Sequence, residues 1–346
     1  MLRIFIGTMA SLLGWLPQAA PDLTAWLAGR TAGFSGVVLV GRGDAIETIA
    51  PYGLADRATR RGNTAETRFN LGSINKTFTA IAVAQLIQQG RLSLDDPLAK
   101  HVPDYPNRVV AARITIRDLL AHRAGVATFM RADFGTASVA EMVRLVGSEP
   151  QVFEPGARQE YSNGGYILLG RIVEIASGQS YADYVAEHIY RRAGMTASGF
   201  VDKTEGGQVA LGYFSADAEG RPMMGGPSVG SNPPAPGNPA GGGYASAADL
   251  FRFARSLRGG RLLDARMTEY VLNGTFAAEP KFGFALREQT IGGRRFLGNG
   301  GGAPGVNAEF RFEPDGDLTA VVLANSSPPA ATELLTDILT RLTGAR

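Results

Sequence analysis

Ser73, Lys76 and Tyr161 are the side chains of this sequence whose types and spacing suit acyl transfer. Ser73 and Lys76 stand one helical turn apart in Phe69-Asn-Leu-Gly-Ser-Ile-Asn-Lys-Thr-Phe78, so a helix starting there places both on one face. A serine hydroxyl is a weak nucleophile until a base takes its proton. A neighbouring lysine is such a base when its surroundings depress its pKa. A helix N-terminus also leaves backbone N–H groups free, which suits a developing oxyanion. Taken alone, the pattern fits equally a serine that caps a helix and a lysine in solvent. The lysines of the chain are only Lys76, Lys100, Lys203 and Lys281, and Lys76 alone has a serine three residues before it.

Two further segments bear on the choice. Glu160-Tyr-Ser-Asn-Gly-Gly-Tyr-Ile-Leu-Leu-Gly170 puts Tyr161 and Asn163 just ahead of an expected helix. A phenol, with a pKa near 10, acts as a base only beside positive charge, which Lys76 can supply. Tyr105-Pro-Asn107 fits the same Tyr-x-Asn pattern but sits in a Pro-rich loop with no following helix. Gly298-Asn-Gly-Gly-Gly-Ala-Pro-Gly305 follows an expected strand, and its glycines would let a substrate backbone lie close and expose N–H groups. A flexible loop is the alternative. A nucleotide-binding turn is excluded by the missing βαβ context.

The elements that must hold these residues read as strands at both ends and helices between. Phe34–Gly41 and Ala45–Tyr52 read as paired strands, and Ile74–Gln89 as a helix stopped by Gly90. Helices are expected over Thr115–His122, Ser138–Val146, Gly165–Ala176, Tyr181–Arg192, Ser246–Leu257 and Ala331–Leu342. Strands are expected over Phe282–Leu286, Arg294–Leu297, Ala308–Phe312 and Leu318–Leu323, with Pro314-Asp-Gly-Asp317 as the last hairpin turn. The expected fold class is α+β, an α/β sandwich: an antiparallel sheet built from both termini, flanked by helices, with a mostly helical insertion. The α/β domain is expected over 21–90 and 240–346, and the inserted helical region, with its Gly/Pro-rich rim loop, over 91–239.

Composition excludes several functions. Of 346 residues, 45% are hydrophobic and 19% charged, as in a globular chain. The net charge of +2, without basic runs, argues against a nucleic-acid partner. The absence of cysteine rules out disulfides, thiol catalysis and a lipid anchor on an N-terminal cysteine. The three histidines, His101, His122 and His188, form no HExxH pair, so no metal and no cofactor is expected. Residues 1–20 carry Arg3, an apolar run and Gln18-Ala-Ala20, the pattern of a cleaved export signal too short for a stable membrane span. That points to a periplasmic or secreted protein; an N-terminal helix on a cytoplasmic protein is the alternative.

Together the three segments resemble the serine β-lactamase and penicillin-binding-protein superfamily, closest to its class C-like, esterase-like branch. Phe69–Thr79 resembles the nucleophile segment and Tyr161-Ser-Asn163 the second motif. Asn299-Gly300-Gly301 stands where the family has Lys-Thr-Gly or His-x-Gly. Ile114-Thr-Ile-Arg-Asp-Leu-Leu-Ala-His-Arg-Ala-Gly125, Ala193-Gly-Met195 and Ala240-Gly-Gly-Gly-Tyr-Ala-Ser-Ala-Ala-Asp249 extend the similarity. The resemblance implies Ser73 as nucleophile, with Lys76 and Tyr161 sharing the proton transfers. It places the oxyanion between the N–H groups of Ser73 and Gly302. It gives Asn163 hydrogen bonds to the lysine and a substrate carbonyl, and makes Asn299, Gly300 and Gly301 part of the substrate-binding edge. Asn299 departs from the pattern: a neutral amide replaces a cation that would contact a substrate carboxylate and assist the tyrosine. Arg294 or Arg295 is a candidate to compensate. The implied activity is hydrolysis of carboxylic esters or small amides, β-lactams and D-amino-acid peptides included, with esters favoured. A non-catalytic binder and an acyltransferase using the same acyl-enzyme are the alternatives.

Overall fold

The computed structural model describes residues 23–127, 137–200, 208–223, 226–232, 236–273 and 282–345. The expected export segment, Lys203 and Lys281 lie outside the described residues. The main sheet has seven strands: β1 (Gly36–Arg42), β2 (Ala45–Tyr52), β3 (Phe282–Gly283), β4 (Leu286–Ile291), β5 (Arg294–Ala303), β6 (Val306–Phe312) and β7 (Leu318–Ala324). Their spatial order is β3-β4-β5-β6-β7-β1-β2, antiparallel at every pairing. The first hairpin of the chain thus completes a sheet made mostly of its last third. The observed class is the expected α+β arrangement.

The helices that frame the site and the sheet include α1 (Leu23–Ala28), α2 (Asn75–Gln88), α3 (Asn163–Ser177), α4 (Ala247–Arg258) and α5 (Ala330–Thr343). Strand alternation sends Val37 and Leu39 of β1 to one face of the sheet and Val38 and Val40 to the other. The second face is covered by α5, whose Ala331, Leu334, Leu335, Ile338 and Leu339 recur at helical spacing and are buried with Leu27 of α1. Each such buried leucine or isoleucine contributes roughly 2 kcal/mol. The first face carries α4 and α2. Every residue of α2 from Asn75 to Leu86 is buried. A helix buried all round belongs inside a protein: α2 packs on α3 to one side, and on the other Thr77 meets Asn299 of β5 and the Ala285 carbonyl.

The helical region is capped as its sequence suggests. Thr115 and Asp118 form a reciprocal capping box at Ile116–Leu120, and Ser138 with Glu141 does the same at Val139–Ser148. Ser162 caps α3 by accepting from the Gly165 N–H, and Gly178 ends that helix in the left-handed conformation.

Three local expectations need correction. The strand expected over Arg294–Leu297 runs on through the glycines to Ala303, paired with β6 up to Ala303 opposite Val306, so the alternative of a flexible loop fails there. The strand expected over Phe282–Leu286 is broken at Phe284 and Ala285, whose φ of 43° and 55° turn the chain between β3 and β4. The helix expected over Thr115–His122 stops at Leu120, and His122 takes a φ of 57°.

Strand β4 pairs with β5 only as far as Arg287 opposite Gly298. From Asn299 onward that edge of β5 is left to the turn that carries Ser73. The approach is close. A Cβ on Gly301 would stand 2.0 Å from the Leu71 carbonyl oxygen and 2.8 Å from the Ser73 nitrogen. Only glycine fits there, so the glycine run is a packing requirement of the turn.

Candidate active site

Ser73 sits in a 3-10 turn, Gly72–Ile74, immediately ahead of α2. The turn begins with Gly72 at a φ of 50° and is tied down by Asn70, whose Oδ1 accepts from the Gly72 N–H at 2.8 Å. Lys76 follows in the first turn of α2 and is only 1% exposed, so the solvated-lysine reading fails. Its Nζ donates to Asn163 Oδ1 at 2.7 Å and to the Ala240 carbonyl, and lies 3.3 Å from Ser73 Oγ. It also stands over the rings of Tyr161, at 4.8 Å, and Tyr166, at 5.7 Å. Burial disfavours the charged amine and takes its pKa from 10.5 to about 7.

Tyr161 arrives from the residue before the α3 cap. Its Oη lies 2.6 Å from Ser73 Oγ. Tyr161 keeps 46% of its surface open to solvent, and the partial desolvation of its phenol raises its pKa above 10.0, opposed by the hydrogen bond to Ser73 and by the charge of Arg287. Ser73, Lys76, Tyr161 and Asn163 are therefore brought into one hydrogen-bonded cluster from two segments far apart in sequence. Tyr105 takes no part in it: that tyrosine is buried in the core and Asn107 caps Arg108–Ala111.

The glycine strand closes another side. A Cβ on Gly72 would lie 3.2 Å from the Gly302 nitrogen, while the Gly301 position abuts the Ser73 nitrogen. The Ser73 and Gly302 amides thus come from adjoining stretches of backbone. Gly300 backs onto Glu309, on the opposite face of the strand from Asn299. Asn299 is buried, and its side chain is spent on the protein. Its Nδ2 donates to Thr77 Oγ1 at 3.2 Å and reaches the Ser73 carbonyl at 3.5 Å, while Oδ1 accepts from the Gly300 N–H at 2.9 Å. It braces the turn that carries Ser73.

Arg294 and Arg295 do not compensate for the missing cation. Arg294 pairs with Glu313, while Arg295 bonds Glu288, Asp315 and the Leu272 carbonyl. A cation whose charge favours the ionised Tyr161 is Arg287, on the strand next to Gly298.

The wall behind Lys76 comes from the rim loop. Asn75 donates to the Asn238 carbonyl at 2.5 Å, and Thr79 donates to the Pro239 carbonyl at 2.7 Å. These bonds hold the Ala240 carbonyl against the amine. Ala240, Arg287 and His122 have no role that residue type and spacing alone suggest. A backbone carbonyl leaves no mark in a sequence. His122, one of three histidines, reaches Tyr161 only through tertiary contact.

Among the described residues, no group of acidic or histidine side chains could hold a metal ion, and no helix is long and apolar enough to cross a membrane. The chain matches the Beta-lactamase family over residues 23–345. It is 28% identical to Penicillin-binding protein 4 of Amycolatopsis lactamdurans over 314 residues, covering 84% of this chain and 80% of that protein. Other curated relatives are matched over only 37% or 29% of their own length. The solved penicillin-binding protein from Bacillus halodurans superposes with a TM-score of 0.78 at 30% identity, covering 92% of this chain and 99% of that one. The fold is also that of D-amino acid amidase from Ochrobactrum anthropi SV3, with a TM-score of 0.76 at 24% identity over 94% and 97% of the two chains. With the family match running from α1 to the end of α5, this chain belongs to the Beta-lactamase family.

Proposed function

We propose that the chain hydrolyses carboxylic esters or small amides through an acyl-enzyme on Ser73. The observation that carries this reading is the position of Ser73 Oγ, 2.6 Å from Tyr161 Oη and 3.3 Å from a lysine amine whose pKa burial lowers to about 7. Ser73 Oγ attacks the substrate carbonyl carbon, and its proton passes into the Tyr161–Lys76 pair. The oxyanion is held by the Ser73 and Gly302 N–H groups. The leaving alkoxide or amine takes the proton as the carbon–oxygen or carbon–nitrogen bond breaks. Water then attacks the acyl carbon, gives its proton to the same pair, and releases the acid and the Ser73 hydroxyl. Asn163 keeps Lys76 aimed at Ser73 and offers its amide to the substrate carbonyl.

Esters and small amides suit the site better than carboxylate-bearing β-lactams. Asn299 brings no charge, and its amide is already engaged by Thr77, Ser73 and Gly300. The likeness in fold to D-amino acid amidase agrees with amide cleavage. The pattern of residues 1–20 supports export as the setting for this activity. Hydrolysis of p-nitrophenyl butyrate by wild type and by Ser73→Ala, side by side, tests the reading. Turnover lost in the variant supports it. Turnover unchanged in the variant refutes it. Inactivity of wild type, with Ser73 unlabelled by a fluorophosphonate probe, refutes it in favour of a binding protein.

A further inference from the structure

His122 lies beneath the site and takes no part in the steps above. It is 4% exposed. Its ring stacks on Tyr161 at 4.7 Å and on Tyr166 at 5.0 Å, tilted by 35° and 38°. Its carbonyl accepts from the Glu160 N–H at 2.9 Å, and its Nδ1 accepts from the Ser162 N–H at 3.1 Å. One residue therefore holds the backbone on both sides of Tyr161 and the ring of Tyr161 itself. The φ of 57° makes this grip: it turns the chain out of the preceding helix, at a steric cost to any residue with a Cβ. We propose that His122 is a positioning residue that, as the neutral tautomer with its proton on Nε2, holds Tyr161 against Ser73.

The tautomer follows from the partner. A backbone N–H only donates, so the Nδ1 that meets Ser162 must be unprotonated. Protonation would set two donors against each other and add a charge beside Lys76. Among the described residues, the titratable groups around the ring include Lys76, Tyr161 and Tyr166, and Tyr166 donates to the Leu120 carbonyl at 3.1 Å. Burial, then the charge of Lys76, hold the imidazole pKa down to about 3, against a smaller opposing effect of the Ser162 bond. His122 therefore stays neutral across the working range.

The catalytic half of this inference rests on Tyr161 carrying a proton in the proposed reaction; the structural half does not. Two variants separate the contributions. His122→Ala removes ring and acceptor. His122→Asn restores an acceptor and tolerates a positive φ. Loss of alignment at the reacting oxygen should lower kcat of His122→Ala on p-nitrophenyl butyrate about 10²-fold, with KM little changed. Its kcat–pH profile should move, and His122→Asn should recover about tenfold of the loss. Equal kcat and an unmoved profile in both variants, with only a lowered melting temperature, would overturn the positioning role. Nitrogen NMR of His122 in the wild type gives a readout free of catalysis. A proton on Nε2 from pH 8 down to pH 5 supports the proposal, and a proton on Nδ1 or titration near pH 6.5 overturns it. The NMR result decides the hydrogen bond even if His122→Ala does not fold. If wild type neither turns over ester nor labels at Ser73, the hydrolase reading fails while the NMR result still stands or falls alone.

Discussion

Lys76→Met is the most informative single change, because it separates burial of the amine from burial of the chain that carries it. In the folded protein the amine has a pKa of about 7; unfolded, it returns to the ordinary 10.5. Between those values the unfolded chain binds a proton that the folded chain does not. Stability from this group therefore rises with pH from about 7 to 10.5 and is lost as pH falls back through 7. The slope is about 1.4 kcal/mol per pH unit, and the whole span is about 5 kcal/mol. Methionine has similar length and no proton. It also leaves the Asn163 and Ala240 oxygens without a donor, at a cost of about 1–3 kcal/mol each, but that cost does not vary with pH. Urea denaturation of both proteins at pH 7.5 and 9.5 should show the wild type gaining about 3 kcal/mol on the variant across that interval. Taking the difference cancels the groups common to both. Parallel pH dependence in the two proteins would refute the reasoning, since it would mean that Lys76 is charged when folded.

Tyr161→Phe removes the hydroxyl nearest Ser73 Oγ and should lower kcat on p-nitrophenyl butyrate by about 10²–10⁴-fold with the fold intact, as checked by circular dichroism. Gly301→Ala forces a Cβ against the Leu71 carbonyl and the Ser73 nitrogen, so it should lower the melting temperature and slow fluorophosphonate labelling of Ser73 together. Arg287→Gln removes the charge that lowers the Tyr161 pKa. The ionisation of Tyr161, read as the difference in phenolate absorbance against an Arg287→Gln/Tyr161→Phe background, should then move to higher pH; a downward move would contradict the sign of that interaction.

Much of the sheet was legible because its strands alternate in the ordinary way. Val37 to Val40 and the run from Leu318 to Leu323 carry β-branched and aliphatic residues that fit only a covered sheet, and Ala331 to Leu339 repeats at helical spacing against it. The capped helices at Ser138 and Ser246 also declared their starts through side chains that accept from the following turn. The glycine strand did not. Five of its last six residues are glycine or asparagine, which read as loop on propensity, yet the paired β6 and the crowding of Gly301 against Leu71 require extended backbone without side chains. The Ser73–Lys76 pair was visible as a spacing, whereas the environment that gives it chemistry was not. That environment depends on Asn163 Oδ1 and the Ala240 carbonyl, brought by segments distant from α2.

The burial of α2 and the chemistry of Lys76 have one physical origin. A helix packed on all sides offers an amine no water, so the amine either loses its proton or is ringed with oxygens. Lys76 sits between these limits: Asn163, Ala240 and Ser73 supply oxygens, and burial still brings the pKa near neutrality. Desolvation on the inner side of the half-exposed Tyr161 pushes its phenol the other way, so its proton stays on at a pH where the lysine has shed its own. Under the proposed reaction the lone pair that finally accepts the serine proton is thus on Lys76, and Tyr161, at 2.6 Å from Ser73, is placed to pass that proton while remaining a phenol at rest. A cation at position 299 would assist ionisation of the tyrosine and shift the burden towards it. The asparagine found there is neutral and bonded to Thr77 and Gly300, so under the proposed reaction the lysine is the resting base.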